Sequence, residues 1–199
     1  MKKKLLKKIR SAKAFSMSEM LVATLILGLM TTAMASGISA SIRIYHDSVT
    51  YSEKRMLLST LAESISTELR YAKEAEVKSV SNPEDKKYQL QDYTSPNFGF
   101  DSKIEVSSDG RITVKGSDLV GDGVYSKNKL LSACLIDEGS SEKQSGTAKI
   151  YYYESTETEV RDYYEFTVAV YSGDEETPET RTLRVKPLDA PTIIEQENN

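Results

Sequence analysis

The chain has 199 residues and a formal net charge of −4, a size that suits one domain of ordinary dimensions with an appended segment. Residues 1–14 hold seven cations and no carboxylate; without them 19 of the 26 basic side chains face 30 acidic ones, about −11 in all, and so acidic a body is a poor general binder of nucleic acid. A single cysteine, Cys134, and a single histidine, His46, exclude an internal disulfide and a Cys/His zinc site.

In chain order the first element is the basic leader Lys2, Lys3, Lys4, Lys7, Lys8, Arg10 and Lys13, followed by Ala14-Phe15-Ser16-Met17-Ser18-Glu19 and then the apolar run Met20 to Met30. Residues 20–35 are apolar or small, close to the ~17 residues a spanning helix needs. One reading is a secretory signal peptide with a small-residue site, Ala33-Met34-Ala35, and a cut before Ser36. A second is an uncleaved anchor, whose basic flank places the N-terminus in the cytoplasm. Neither gives a role to Glu19, an expensive carboxylate at the start of an apolar segment.

The stretch Ala14-Phe15-Ser16-Met17-Ser18-Glu19-Met20-Leu21-Val22-Ala23 resembles the cleavage and methylation segment of type IV prepilins and pseudopilins. The resemblance covers residues 1 to about 40 well and the remainder only in outline. It implies that a membrane aspartyl protease, the prepilin peptidase, cuts between Ala14 and Phe15 and that the new Phe15 amine is methylated. It also implies that Glu19 sets assembly register by pairing with the Phe15 amine of a neighbouring subunit. The chain departs from the family pattern in carrying Ala14 where glycine is usual, and Ser16-Met17-Ser18 where Thr-Leu-Ile is more usual. Independently of the resemblance, Phe15 and Glu19 are four apart and share a helix face, and a helix N-terminus favours a carboxylate. The bland alternative is that Glu19 snorkels to the headgroups.

The helical period continues beyond Ala35. Ile38, Ile42, Tyr45, Val49, Met56, Thr60, Ile65, Leu69 and Ala72 recur at mostly helical spacings, and Leu57, Leu61, Ile65 and Leu69 make a strict four-step row. The opposite face carries Arg43, Asp47, Glu53, Lys54, Glu63 and Glu74, and Ser81-Asn82-Pro83 is the first strong stop. A helix from about Phe15 to about Lys78 would be about 95 Å long at 1.5 Å per residue. Thr31-Thr32, Ser36-Gly37 and Ser39 are weak helix formers where the segment leaves the membrane; they suit either a local bend or close helix packing. His46 reads as a surface residue of this helix.

After Pro83 the period becomes two. Lys103-Ile104-Glu105-Val106 and Arg111-Ile112-Thr113-Val114-Lys115 flank Ser107-Ser108-Asp109-Gly110, a hairpin signal. Later strand runs are 149–153, 160–171 and 180–186. In the second, Tyr164, Phe166, Val168 and Val170 form a packing face, and Arg161, Tyr163, Glu165 and Thr167 a face toward water. The row Leu57/Leu61/Ile65/Leu69 is the natural cover for an antiparallel sheet of four to seven strands. Tyr151-Tyr152-Tyr153 with Tyr163, Tyr164 and Tyr171 suits strand packing better than a ligand surface. Asp118 and Asp122 read as Gly-Asp turn residues rather than calcium ligands, and Cys134 in an apolar run as a buried thiol.

The expected fold is α+β and pilin-like, with one long N-terminal helix, transmembrane in its N-terminal half, on a C-terminal antiparallel sheet. The expected segments are a cleaved leader 1–14, a transmembrane helix 15–37, an amphipathic extracytoplasmic helix 38–80, a sheet domain 81–187 and a flexible acidic tail 188–199. No catalytic constellation, cofactor motif or metal spacing is present, so a non-enzymatic structural subunit is expected. The resemblance names its partners as other pilin subunits, the prepilin peptidase and a cytoplasmic-membrane assembly platform; no direct nucleic-acid contact is expected. The alternative is a secreted or anchored binding module cut after Ala35.

Overall fold

The computed structural model describes residues 16–80, 87–121, 125, 131–137, 140, 146–155, 162–173 and 177–195. The chain divides into two compact units, residues 1–49 and 50–199. A single α-helix, α1 (Met17–Arg70, 54 residues), contributes to both.

In the first unit α1 is exposed along its described length through Ser48, and its large apolar side chains are exposed with it: Leu21, Leu25, Leu29 and Ile38 are each 61–64% accessible. The helix runs unbroken through the weak formers. The hydroxyls of Thr31, Thr32, Ser36, Ser39 and Ser41 donate to helix carbonyls three or four residues back, at 2.9–3.1 Å. Each thereby satisfies its polar group without water, which is what hydrocarbon demands of a hydroxyl. Ile42 and Tyr45, expected on an amphipathic face, are as exposed as the residues before them.

The second unit contains the core. The helical residues Leu57, Leu61, Ile65 and Leu69 are all fully buried, joined by Leu58 and Ala62. They pack in one cluster with Tyr164, Phe166, Val168 and Val170, the face expected to pack. Twelve strands follow α1 among the described residues: β1 (Glu74–Ser79), β2 (Lys87–Ser95), β3 (Gly99–Ser102), β4 (Ile104–Val106), β5 (Ile112–Val114), β6 (Ser117–Asp118), β7 (Leu131–Ile136), β8 (Gly146–Thr147), β9 (Ile150–Tyr153), β10 (Tyr163–Ser172), β11 (Glu179–Val185) and β12 (Thr192–Glu195). The larger sheet runs β11-β10-β9-β2-β1-β12, with β3 on β2 and β7 sharing an edge of β10 with β9; the smaller runs β6-β5-β4-β8. The architecture is therefore α+β, as expected, with more strands than expected and one parallel pair, β1 with β12.

The hairpin forms in the expected place: Ile104 faces Val114 and Val106 faces Ile112. Its turn needs Gly110 at φ +76°, where a side chain is strained. A Cβ there would also lie 2.3 Å from that of Ser132, because Ala133 N–H donates to the Gly110 carbonyl at 2.7 Å. The turn is thus docked on β7.

Three expectations are corrected. The helix ends at Arg70, not near residue 80; Glu74-Ala75-Glu76-Val77 alternates outward and inward as β1, with Ala75 and Val77 fully buried. Residues 188–195 are not a loose tail. Leu188 N–H donates to the Arg70 carbonyl (2.8 Å), Thr192 N–H to that of Lys73 (3.0 Å), and β12 pairs with β1. Third, the face of β10 expected in water is covered where it is described: Glu165 and Thr167 are buried, and Ala169 and Tyr171 join Val106, Cys134 and Ile136 in a second small core. Arg161 lies outside the described residues.

Candidate functional site

The processing residues Ala14 and Phe15 lie outside the described residues; Glu19 lies within them, in the first turn of α1. Ser16 is the residue before the helix, and its carbonyl accepts the first helical bond from Met20 N–H at 3.1 Å. The Glu19 carboxylate turns back and accepts the Ser16 N–H at 2.9 Å. Ser16-Met17-Ser18-Glu19 is thus the Glu half of a capping box, with the Ser16 and Ser18 hydroxyls bonded to each other. The carboxylate satisfies a backbone donor that the helix cannot and sits at the favourable end of the dipole. The S-x-x-E spacing carries this signal in the sequence.

Beyond this cap, α1 contains a stretch long and apolar enough to cross a membrane, none of it buried. A single N-terminal apolar helix of this kind is compatible with a membrane anchor. Gly28 and Gly37 have open space where a Cβ would stand. His46 is exposed, edge-on to Tyr45 at 6.1 Å, with no metal-binding group of three or more His, Cys, Asp or Glu among the described residues.

The tyrosines divide between two environments. Tyr152 and Tyr164 are core residues with ring centroids 5.3 Å apart, and Tyr152 donates to Asp162 at 2.7 Å. Burial, then this bond, raises the Tyr152 pKa. Tyr151, Tyr153 and Tyr163 lie half-buried on the other face, where strand register places Lys87 opposite Tyr153 and Glu165 between Tyr151 and Arg184. There the Lys87 ammonium stands 4.0 Å from the Tyr151 centroid. Tyr153 and Tyr163 stack at 4.9 Å, and Arg184 both bonds Glu165 at 2.6 Å and covers Tyr163 at 5.4 Å. Burial, and then donation to Asp137, raises the Tyr151 pKa.

Asp118, expected in a turn, lies in β6 opposite Thr113 and is bound by Arg111 at 2.6 Å; Asp122 lies outside the described residues. The Tyr125 hydroxyl accepts the Ile112 N–H at 3.3 Å, and burial pushes its pKa up to about 12. Cys134 is buried, as expected. Sequence reasoning missed Glu68, a buried carboxylate on α1. It accepts from Ser95 Oγ at 2.5 Å and from the Asn97 side-chain amide. The neighbouring Tyr93 hydroxyl is buried with no hydrogen-bond partner among the described residues, and burial followed by the Glu68 charge raises its pKa. A cluster of Glu74, Glu76, Asp92 and Asp101 lines a shallow cleft on strands β1 to β3. Burial, outweighing nearby Lys103, raises the Asp92 pKa.

No family model, no curated protein and no solved structure matches this chain.

Proposed function

We propose that the chain is a type IV pilin-like structural subunit, a minor pilin or pseudopilin. In this reading it inserts into the cytoplasmic membrane as a single span with a cytoplasmic N-terminus. Prepilin peptidase cuts between Ala14 and Phe15, and the Phe15 amine is methylated. The subunit is then drawn from the membrane by an assembly platform into an extracellular or periplasmic filament serving secretion, motility, adhesion or DNA uptake. Its partners are other subunits, met through the N-terminal helix, and it performs no catalysis.

One observation carries the reading: an apolar helix whose side chains are exposed among the described residues, begun by a glutamate and continuing unbroken through Ala35. A helix that only delivered a protein for cleavage after Ala35 would have no need to continue in register across that site. Glu19 supports the reading in a specific way. Its bond to Ser16 N–H occupies one acceptor position of the four or so on a carboxylate, so lone pairs remain for a neighbour's Phe15 amine. Two charges meeting in low dielectric fix register, as a buried polar residue does in a coiled coil.

The test separates cap from charge. Glu19→Gln keeps an acceptor at the capping position but loses the charge; Glu19→Ala loses both. Both variants should be inserted and processed, and both should be recovered in sheared filaments at a tenth of the wild-type level or less. Wild-type recovery of Glu19→Gln would reduce Glu19 to a helix cap.

A further inference from the structure

The first charged residue after Glu19 is Arg43. The uncharged stretch between them, Met20–Ile42, has 23 residues, about 35 Å of helix at 1.5 Å per residue. The 18 residues Met20–Gly37 would make only about 27 Å, short of the ~30 Å hydrocarbon layer of a bilayer.

Gly37 marks no boundary in α1. Ile38 and Ile42 are 61% and 53% accessible, as exposed as the leucines before them. A shallow groove of about 480 Å³ runs across the point, lined by Met34, Gly37, Ile38, Ser41, Ile42 and Tyr45. Every hydroxyl of Met20–Ile42 donates to a carbonyl of its own helix. Ser39 (to Ala35 O, 3.1 Å) and Ser41 (to Gly37 O, 2.9 Å) do so no less than Thr24, Thr31, Thr32 and Ser36. Hydrocarbon requires this of a hydroxyl and water does not.

The chemistry changes at residue 43. Arg43, His46 and Asp47 follow closely, and Tyr45 is 68% accessible with His46 edge-on to it at 6.1 Å. An arginine keeps its stem in apolar surroundings and its guanidinium among phosphates, and a tyrosine at such a boundary keeps its ring at the acyl ends and its hydroxyl wet. A neighbouring helix would cover one face of α1. Ile38, Ile42 and Tyr45 share a face, but Ile44, 69% accessible, lies on another, and apolar exposure on several sides suits lipid.

We propose that a lipid bilayer covers α1 as far as Tyr45, with Ile38 and Ile42 among acyl chains and Arg43 and Tyr45 in the layer of phosphate headgroups. The proposal rests on the reading of α1 as a membrane anchor and moves the far surface from Gly37 to Tyr45. The length beyond ~30 Å is taken up by tilt or by the reach of Arg43.

The chain has no tryptophan, so one introduced indole reports a single depth. The full chain carrying Leu25→Trp, Ile38→Trp or Tyr45→Trp is reconstituted at low density in phosphatidylcholine–phosphatidylglycerol vesicles. Its fluorescence is then quenched by lipids brominated deep in the acyl chain or near the headgroup. Leu25 and Ile38 stand six and seven residues from Thr31, the midpoint of Met20–Ile42. Their variants should therefore be quenched by lipid to within about twofold of each other, and Tyr45→Trp chiefly by the shallow bromines. Adding Arg43→Glu should weaken the Tyr45→Trp quenching about twofold, because a carboxylate there repels lipid phosphate; unchanged quenching would overturn the headgroup contact of Arg43. Quenching of Leu25→Trp alone would overturn the proposal and leave the anchor reading standing, whereas quenching of none of the three would overturn both. Indoles at 38 and 45 shielded from aqueous acrylamide yet untouched by brominated lipid would give this face to another helix and overturn the proposal.

Discussion

The two ends of α1 obey opposite rules. From residue 57 onward its apolar row is sealed under a sheet, with Leu57, Leu61, Ile65 and Leu69 at 0% accessibility. Before residue 49 the same kind of side chain, in the same conformation, is exposed among the described residues; Leu25 is 63% accessible. In water the first arrangement stabilises a fold and the second exposes a helix that would aggregate. The difference shows that helical period alone does not say where a helix finds its partner. The second half finds it in its own chain; the first half stays exposed among the described residues and is compatible with a membrane anchor.

The largest effect that sharpens this contrast is a core truncation. Phe166→Ala should lower the stability of the sheet unit by about 3–5 kcal/mol in thermal or denaturant unfolding, the usual range for a buried phenylalanine. Leu25→Ala, by contrast, should leave that transition unmoved and weaken membrane retention only. A shift of the sheet's melting point by Leu25→Ala would mean that the exposed helix has a partner in its own chain.

Two glycines give the next comparison. Gly110→Ala forces a side chain into a positive-φ position against Ser132 and should destabilise by about 1–3 kcal/mol. Gly37→Ala meets open space on a helix and should raise the helicity of the dispersed subunit, by about 1 kcal/mol of propensity. In filaments the sign should reverse, because a methyl group there would separate closely packed helices. Circular dichroism on dispersed protein and recovery from sheared filaments read the two signs.

What was legible in the sequence follows the same division. The four-step leucine row and the 104–114 hairpin depend on local period and turn chemistry, and both stand where they were expected. Strand β1 was hidden because Glu74, Ala75, Glu76 and Lys78 are good helix formers; its pairing with β2 and β12 overrides propensity. Strand β12 lies in an acidic stretch with no strong alternation and is anchored by partners more than a hundred residues away, which no window can see. The covering of Glu165 by Arg184 and Tyr153 is likewise a matter of register between distant strands. At the candidate site, Glu19 was legible as a residue needing a partner, while the Ser16 amide as that partner was legible only as a spacing.

The smallest predicted effect concerns Asp92 on the solvent-facing side of the sheet unit. Its folded pKa lies above the ordinary value, chiefly through burial and then, against Lys103, through Glu76, Asp101 and Glu105. The native state therefore binds this proton more tightly than the unfolded chain. The associated stability is present below the unfolded pKa and is lost as pH rises through the folded one. Asp92→Asn should give a small gain in melting temperature at neutral pH that disappears in acid. An equal gain at both pH values would assign the effect to packing.

The central claim is that the exposed half of α1 becomes the core of an assembly after its leader is removed. Mass spectrometry of the mature N-terminus of the membrane-derived protein tests it most directly. The account predicts a chain beginning at Phe15 and carrying one added methyl group on its amine. A chain beginning at Ser36, or one retaining Met1, would contradict it.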